Sequence, residues 1–185
     1  RIEFVKGPAG FMLASGEPSG FYNVVTKKPT GVKKNEAGMT VGSYGTYRST
    51  MDFDGLLSKD GKVQYRLNLM GQLKGTQRAN EFNNRISVAP VIKFQINPAT
   101  SLTMEYTYQG VTMSPIGSNY AYSPKKLGDL PVSFSTLEGN MAPTKINDQS
   151  FFVTLSHSIN NNWKFTGQMA YMHFNQEGAS LWPSG

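Results

Sequence analysis

From residue 37 onward, apolar and polar side chains alternate with a period of two, the mark of strands that present one face to an apolar phase and the other to a polar one. Leu102 to Gln109 is the cleanest run: every even position is apolar or aromatic and every odd one polar. Val63 to Leu69 and Trp163 to Tyr171 repeat the pattern on odd positions, and weaker versions occupy Ala37 to Ser43, Tyr47 to Leu56, Ile86 to Ile96 and Phe151 to Ile159. These runs predict seven strands. No stretch of eighteen apolar residues exists to form a membrane-spanning helix, and no amphipathic helix of useful length is legible, so the chain reads as all-β.

Most of these strands are about nine to eleven residues long, the length a tilted strand needs to cross a bilayer and more than the usual strand of a soluble sheet. One face of each is apolar; the other carries Arg48, Asp52, Asp54, Arg66, Lys93 and Glu105. Two architectures use that pattern. In a soluble sandwich the apolar faces meet each other, whereas in a membrane barrel they meet lipid and the polar faces line a wet interior. Alternation alone does not choose between them, but the aromatics favour the barrel. At roughly 3.3 Å per residue and a tilt near 40°, Trp163 and Tyr171 stand about 20 Å apart along the membrane normal, close to the spacing of two aromatic girdles.

The connections alternate as well. Ser58 to Lys62, Asn97 to Thr100 and Asn160 to Asn162 are tight turns of Asp-Gly, Asn-Pro and Asn-rich chemistry, while Lys74 to Asn84 and Val111 to Gln149 read as long loops. Short turns on one side and long loops on the other is the asymmetry of outer-membrane barrels, the short side facing the periplasm. The short connection at Ser43 to Thr46 breaks the pattern. Pro90 inside a strand is also awkward, since proline has no ladder N–H, and a nearby bulge is the expected accommodation. An odd count of seven strands would leave two unpaired edges in lipid, so the chain reads as a fragment of a larger barrel.

Composition narrows the function classes. The 185 residues contain no cysteine, which excludes thiolate metal sites and disulfides. His157 and His173 are far apart and lack spaced acidic neighbours, so no metal site is expected. The net charge is +6, with a basic cluster at Lys27, Lys28, Lys33 and Lys34. Nothing resembling a recognition helix or an aromatic-basic platform accompanies that cluster, and it reads as a solvated linker rather than a nucleic-acid site. No nucleophile with a base and an orienting partner can be assembled, so no enzyme is expected.

The first thirty residues carry the most specific signal. Arg1-Ile2-Glu3-Phe4-Val5-Lys6-Gly7-Pro8 alternates like a short strand and stops at Gly-Pro. Gly16-Glu17-Pro18-Ser19-Gly20 spaces a tight loop, and Phe21 to Thr26 predicts a second strand before Lys27-Lys28-Pro29-Thr30. Taken without further context this is any strand-loop-strand unit. Taken whole, it resembles the carboxy-terminal end of the plug domain of TonB-dependent outer-membrane receptors, especially the ferric-siderophore branch. Ser19 stands where that family more often has glycine, and Ala14 precedes Ser15-Gly16 where Tyr-Gly is common.

The resemblance implies a plug folded inside a barrel of about 22 strands, and import across the bacterial outer membrane driven through the TonB energy-coupling complex, which engages a plug segment outside this sequence. It implies that residues 1–34 end the plug and lead to the wall, and that residues 35–185 are the first part of a transmembrane antiparallel β-barrel. Arg1, Glu3 and Lys6 match positions that pair with charges on the wall, and Gly7, Pro8, Gly16, Gly20, Asn23 and Lys27 match plug-motif positions that look structural. Arg48, Asp52, Asp54, Arg66, Lys93 and Glu105 would line the lumen. Tyr120, Tyr122, Lys125, Lys126 and Phe134, in the longest outer loop, would suit a bulky, anionic ferric siderophore. The expected partners are TonB, a ferric siderophore and outer-membrane lipid, with no cofactor, metal or nucleic acid. Importers of cobalamin, haem or glycans, a structural or adhesive barrel without transport, and a soluble sandwich stay open at this point.

Overall fold

The computed structural model describes residues 2–6, 20–24, 26–117, 126, 128–137 and 139–182. Two five-residue strands come first: β1 (Ile2–Lys6) and β2 (Gly20–Val24) pair antiparallel, with Ile2 opposite Val24 and Lys6 opposite Gly20. The second strand therefore ends at Val24, ahead of the Thr26 expected from its β-branched run.

Seven long strands then form one antiparallel sheet. They are β3 (Lys34–Gly42), β4 (Thr46–Leu56), β5 (Val63–Leu73), β6 (Asn83–Asn97) and β7 (Thr100–Met113), followed, after the two-residue β8 (Ile116–Gly117), by β9 (Thr144–Ser158) and β10 (Lys164–Glu177). Their spatial order is β10-β9-β7-β6-β5-β4-β3, an up-and-down meander. All seven alternating runs are strands. A last short strand, β11 (Ser180–Leu181), lies parallel to β8 and ties the chain after β10 to the longest loop.

The strands outrun the apolar alternation at their loop ends. Val111 to Gln149 reads as one long loop, but β7 continues to Met113 and β9 begins at Thr144, with Val111 paired to Ile146 and Gly110 to Asn147. Asn147, Asp148 and Gln149 carry no apolar alternation to betray a strand. Their ladder is held by backbone bonds and by the Tyr106 and Tyr108 hydroxyls, which donate to Gln149 Oε1 and Asn147 Oδ1 at 3.1 Å. The short Ser43 connection is explained by Tyr44 and Gly45, whose φ angles of 57° and 68° match a type I′ turn closed by Thr46 N donating to Ser43 O at 3.3 Å. In the tight β4–β5 turn, Ser58 Oγ and Lys62 N donate to Asp60, which holds its carboxyl below the usual carboxylate range.

Pro90 sits opposite Leu67 on β5, and the β6–β7 ladder skips Ala89 and Pro90 with the register unchanged between Val88↔Tyr108 and Val91↔Glu105. The bulge expected beside the proline lies instead between Gln95 and Asn97. A missing N–H costs a rung without forcing an extra residue.

The distribution of burial decides between the two architectures. Among the described residues only Val91 and Leu137 are buried hydrophobics, whereas Asp52, Asp54, Glu105 and Thr144 are buried polar or charged side chains. Met39, Met51, Leu73, Ile86, Leu155, Phe165, Met169 and Tyr171 are all exposed. A soluble sandwich would bury that apolar face in its own core; here the apolar face is outside and the charges are inside, as a barrel wall in lipid requires.

Beyond β10, Gly178 has φ of +153°, and a Cβ there would stand 2.6 Å from Thr144 Cα and 3.0 Å from Pro143 O. Both neighbours are backbone and cannot swing away. Gly178→Ala is expected to destabilise the docking of residues 178–182 by about 1–3 kcal/mol, read as faster limited proteolysis at that segment; an unchanged cleavage rate would contradict the contact.

Candidate functional site

The buried charges form a single constellation on the polar face. Strand register places Lys34, Asp54, Arg66, Val91, Glu105, Phe152 and Ala170 in one row across the sheet, and Asp52 faces Asn68 one step further toward the loop side. Residues 26–30 cross this row. Because residues directly opposite each other on neighbouring strands point to the same face, the pairings Asp54↔Arg66, Arg66↔Val91 and Val91↔Glu105 put all of them on one side.

Three carboxylates receive the crossing segment. Asp54, 2% exposed, accepts Thr30 N at 3.2 Å through both oxygens and Thr30 Oγ1 at 2.7 Å. Asp52 accepts Lys27 Nζ at 2.6 Å. Glu105, 5% exposed, accepts both Lys28 Nζ and the Thr26 hydroxyl. Pro29 is buried, and its missing N–H leaves no donor unsatisfied.

Arg66 is the hub. Its Nε and Nη2 fork onto Asp52 at 2.9 and 2.8 Å, its Nη1 donates to the Lys28 carbonyl at 3.0 Å, and the same nitrogen lies 3.5 Å from Asp54. The planar guanidinium suits this double task in a way an ammonium does not. The Asn68 carboxamide, with its nitrogen turned to Asp52, adds contacts of 3.3 Å to both carboxylate oxygens. Three carboxylates thus face three cations, Arg66, Lys27 and Lys28. The lysine ammoniums are half exposed and partly screened by water, so the Arg66 fork and the Thr30 bonds carry most of the hold.

The other residues singled out in the sequence fall elsewhere. Arg48 and Lys93 share the polar face, opposite Gln72 and Gln64, outside the clasp. Glu3 and Lys6 lie in β1 opposite Asn23 and Gly20. Lys126 is exposed, its N–H donating to Asp129 Oδ2 at 3.2 Å, and Phe134 is 40% exposed in a loop that docks on residues 79–81 through Ala79 N to Ser133 O, Asn80 Nδ2 to Leu137 O and Ser135 Oγ to Glu81. Arg1, Gly7, Pro8, Gly16, Tyr120, Tyr122 and Lys125 lie outside the described residues. His157 receives or donates a bond with Thr100 Oγ1 at 2.8 Å, and His173 faces Gln149 well along the same ladder.

One expectation is corrected. Lys27 and Lys28 are not part of a solvated linker; they end on buried carboxylates, whereas Lys33 is exposed and Lys34 pairs with its exposed neighbour Glu36. Thr26, Lys28, Thr30 and Asn68 escaped the sequence reading. The available signal was the excess of negative charge among Asp52, Asp54, Arg66 and Glu105, which demanded cations from another segment.

No protein-family model matches the chain. The metal-pseudopaline receptor CntO of Pseudomonas aeruginosa strain PAO1 is 32% identical over 179 residues, covering 96% of this chain and 25% of that protein. The ferripyoverdine receptor of the same strain is 27% identical over 175 residues, covering 88% of this chain and 20% of that protein. Among solved structures, the siderophore receptor PiuA from Acinetobacter baumannii superposes with a TM-score of 0.83 at 19% identity over 96% of this chain and 26% of that one, a likeness of fold. This chain belongs to the TonB-dependent siderophore receptors. It spans about a quarter of the length of the curated relatives it matches. The seven-stranded sheet is thus part of a receptor barrel, and the lipid its apolar face meets is that of the bacterial outer membrane. The clasp is a place where this receptor chain crosses its own wall.

Proposed function

We propose that the receptor of which this chain spans a part imports a ferric siderophore across the outer membrane, with energy delivered through TonB. The observation that carries the reading is the clasp: the Thr26–Thr30 segment of the opening motif lies on the polar, inner face of the wall and is held there by Asp52, Asp54, Arg66 and Glu105. That is where a plug would hand over to a barrel. In this reading residues 1–34 close the plug, residues 35–185 begin the wall, and Arg48, Lys93 and the clasp residues line the lumen. Arg1, Glu3 and Lys6 would supply further plug-to-wall charges. Tyr120, Tyr122, Lys125, Lys126 and Phe134 would meet cargo at the outer mouth.

The relatives are named for siderophore and metallophore complexes, which favours that cargo class over cobalamin, haem or a glycan. One of them, 32% identical, is named for metal-pseudopaline, so a metallophore complex of another metal is the second reading. The two separate in one experiment. A strain lacking the gene, starved for metal, is supplied in turn with ferric pyoverdine, ferrichrome, a ferric catecholate and pseudopaline complexes of several metals. Loss of growth and of radioactive metal uptake on one of these is expected; wild-type uptake of every complex sinks the proposal.

A further inference from the structure

The clasp says which part of a plug is free to move. We infer that Thr26–Thr30 stays bound to the wall throughout import, so that any rearrangement of the plug stops at Thr26. The inference rests on the import reading and adds to it a fixed boundary.

Charge is the first argument. Lifting the segment away removes Lys27 and Lys28 and leaves Asp52, Asp54 and Glu105 facing Arg66 alone, a net charge of two negatives on one patch of wall whose carboxylates are 2% to 7% exposed while the segment covers them. Like charges held this close repel, and the water that enters offsets only part of the lost pairing. Thr30 N and Oγ1 and the Lys28 carbonyl would lose their partners in the same step.

Connectivity is the second. The clasp joins the segment to β4, β5 and β7, three strands of a continuous seven-stranded sheet. The β1–β2 pair ahead of it consists of two five-residue strands, a unit that is marginal without other support. Of the two, the short pair yields first to a load. Val24, the end of β2, is two residues from Thr26, a reach of about 7 Å when fully extended. With Thr26 held, β2 cannot leave the wall by more than that. Ile2, opposite Val24, marks the end of the pair nearest the anchor, so a pull arriving through the chain ahead of Ile2 opens the ladder from that end, one rung at a time.

The test tethers the anchor covalently in the full-length receptor. Thr30→Cys with Asp54→Cys replaces the Thr30 to Asp54 bonds by a disulfide, and uptake of radioactive iron on the siderophore that the parent transports is compared in oxidised and reduced cells. Oxidised receptor is expected to keep at least half of the reduced receptor's uptake. Loss of uptake on oxidation, restored by reductant, overturns the anchor while leaving the import reading intact; a parent receptor that carries none of the complexes overturns the import reading and the anchor with it. Should the double variant fail to reach the outer membrane, Thr26→Cys in an otherwise native receptor is labelled with a membrane-impermeant maleimide during transport and after de-energising. Equal labelling rates are expected, and a rise of about tenfold or more on energising overturns the proposal.

Discussion

Arg66→Met in the full-length receptor is expected to speed hydrogen exchange at the Thr30 amide by about 100-fold. The substitution keeps side-chain volume but removes the fork onto Asp52, the bond to the Lys28 carbonyl and the cation beside Asp54. Breaking a buried pair by removing one partner costs about 3–5 kcal/mol. Lys27 still answers Asp52 and the wall is open to water above the clasp, so about 3 kcal/mol is the fair expectation, close to the stated factor at 1.4 kcal/mol per decade. Arg66→Lys should fall between parent and Met, because one ammonium cannot span Asp52 and the Lys28 carbonyl together. Exchange at Thr30 unchanged in Arg66→Met would remove Arg66 from the centre of the clasp.

Leu69→Arg should lower the stability of the folded barrel in lipid vesicles by about 2–4 kcal/mol, while Met70→Arg, one residue on, should change it little. Leu69 stands between Met51 and Val88 on the lipid face, near the middle of β5; Met70 stands between Thr50 and Ser87 on the other. The same cation therefore enters hydrocarbon in one case and a polar cavity in the other, lined by Lys27, Arg48, Thr50, Asp52, Asn68 and Ser87. Reversible denaturant unfolding in vesicles reads both. Equal effects at the two positions would mean that the two faces do not see different solvents.

These outcomes follow from two kinds of information that the chain stores differently. Strand parity was legible because it is local: the side-chain period of two places Asp52, Asp54, Arg66 and Glu105 on one face without any knowledge of neighbours. The extra rungs at Asn147 to Gln149 were not legible, since a strand end outside the apolar band has no reason to alternate. Pro90 was legible as a defect, but its accommodation was not, because a lost rung and an added residue leave the same mark in the sequence. The clasp lay between these cases. Its wall half could be read from parity and its other half could not, since the Lys27-Lys28 pair looks like any solvated run until a carboxylate is placed opposite.

Local alternation was enough to establish an all-β chain with seven long strands and their faces, and the opening motif to point to the receptor family. Only the three-dimensional structure decided which charges meet. Asp54, Arg66 and Glu105 are far apart in the chain and become one row through the accumulated register of four antiparallel strands, each pairing offset by the length of the turn before it. Register is a property of pairs of strands rather than of any one of them, so no single run of residues records that Thr26–Thr30 will cross that row and be held by it.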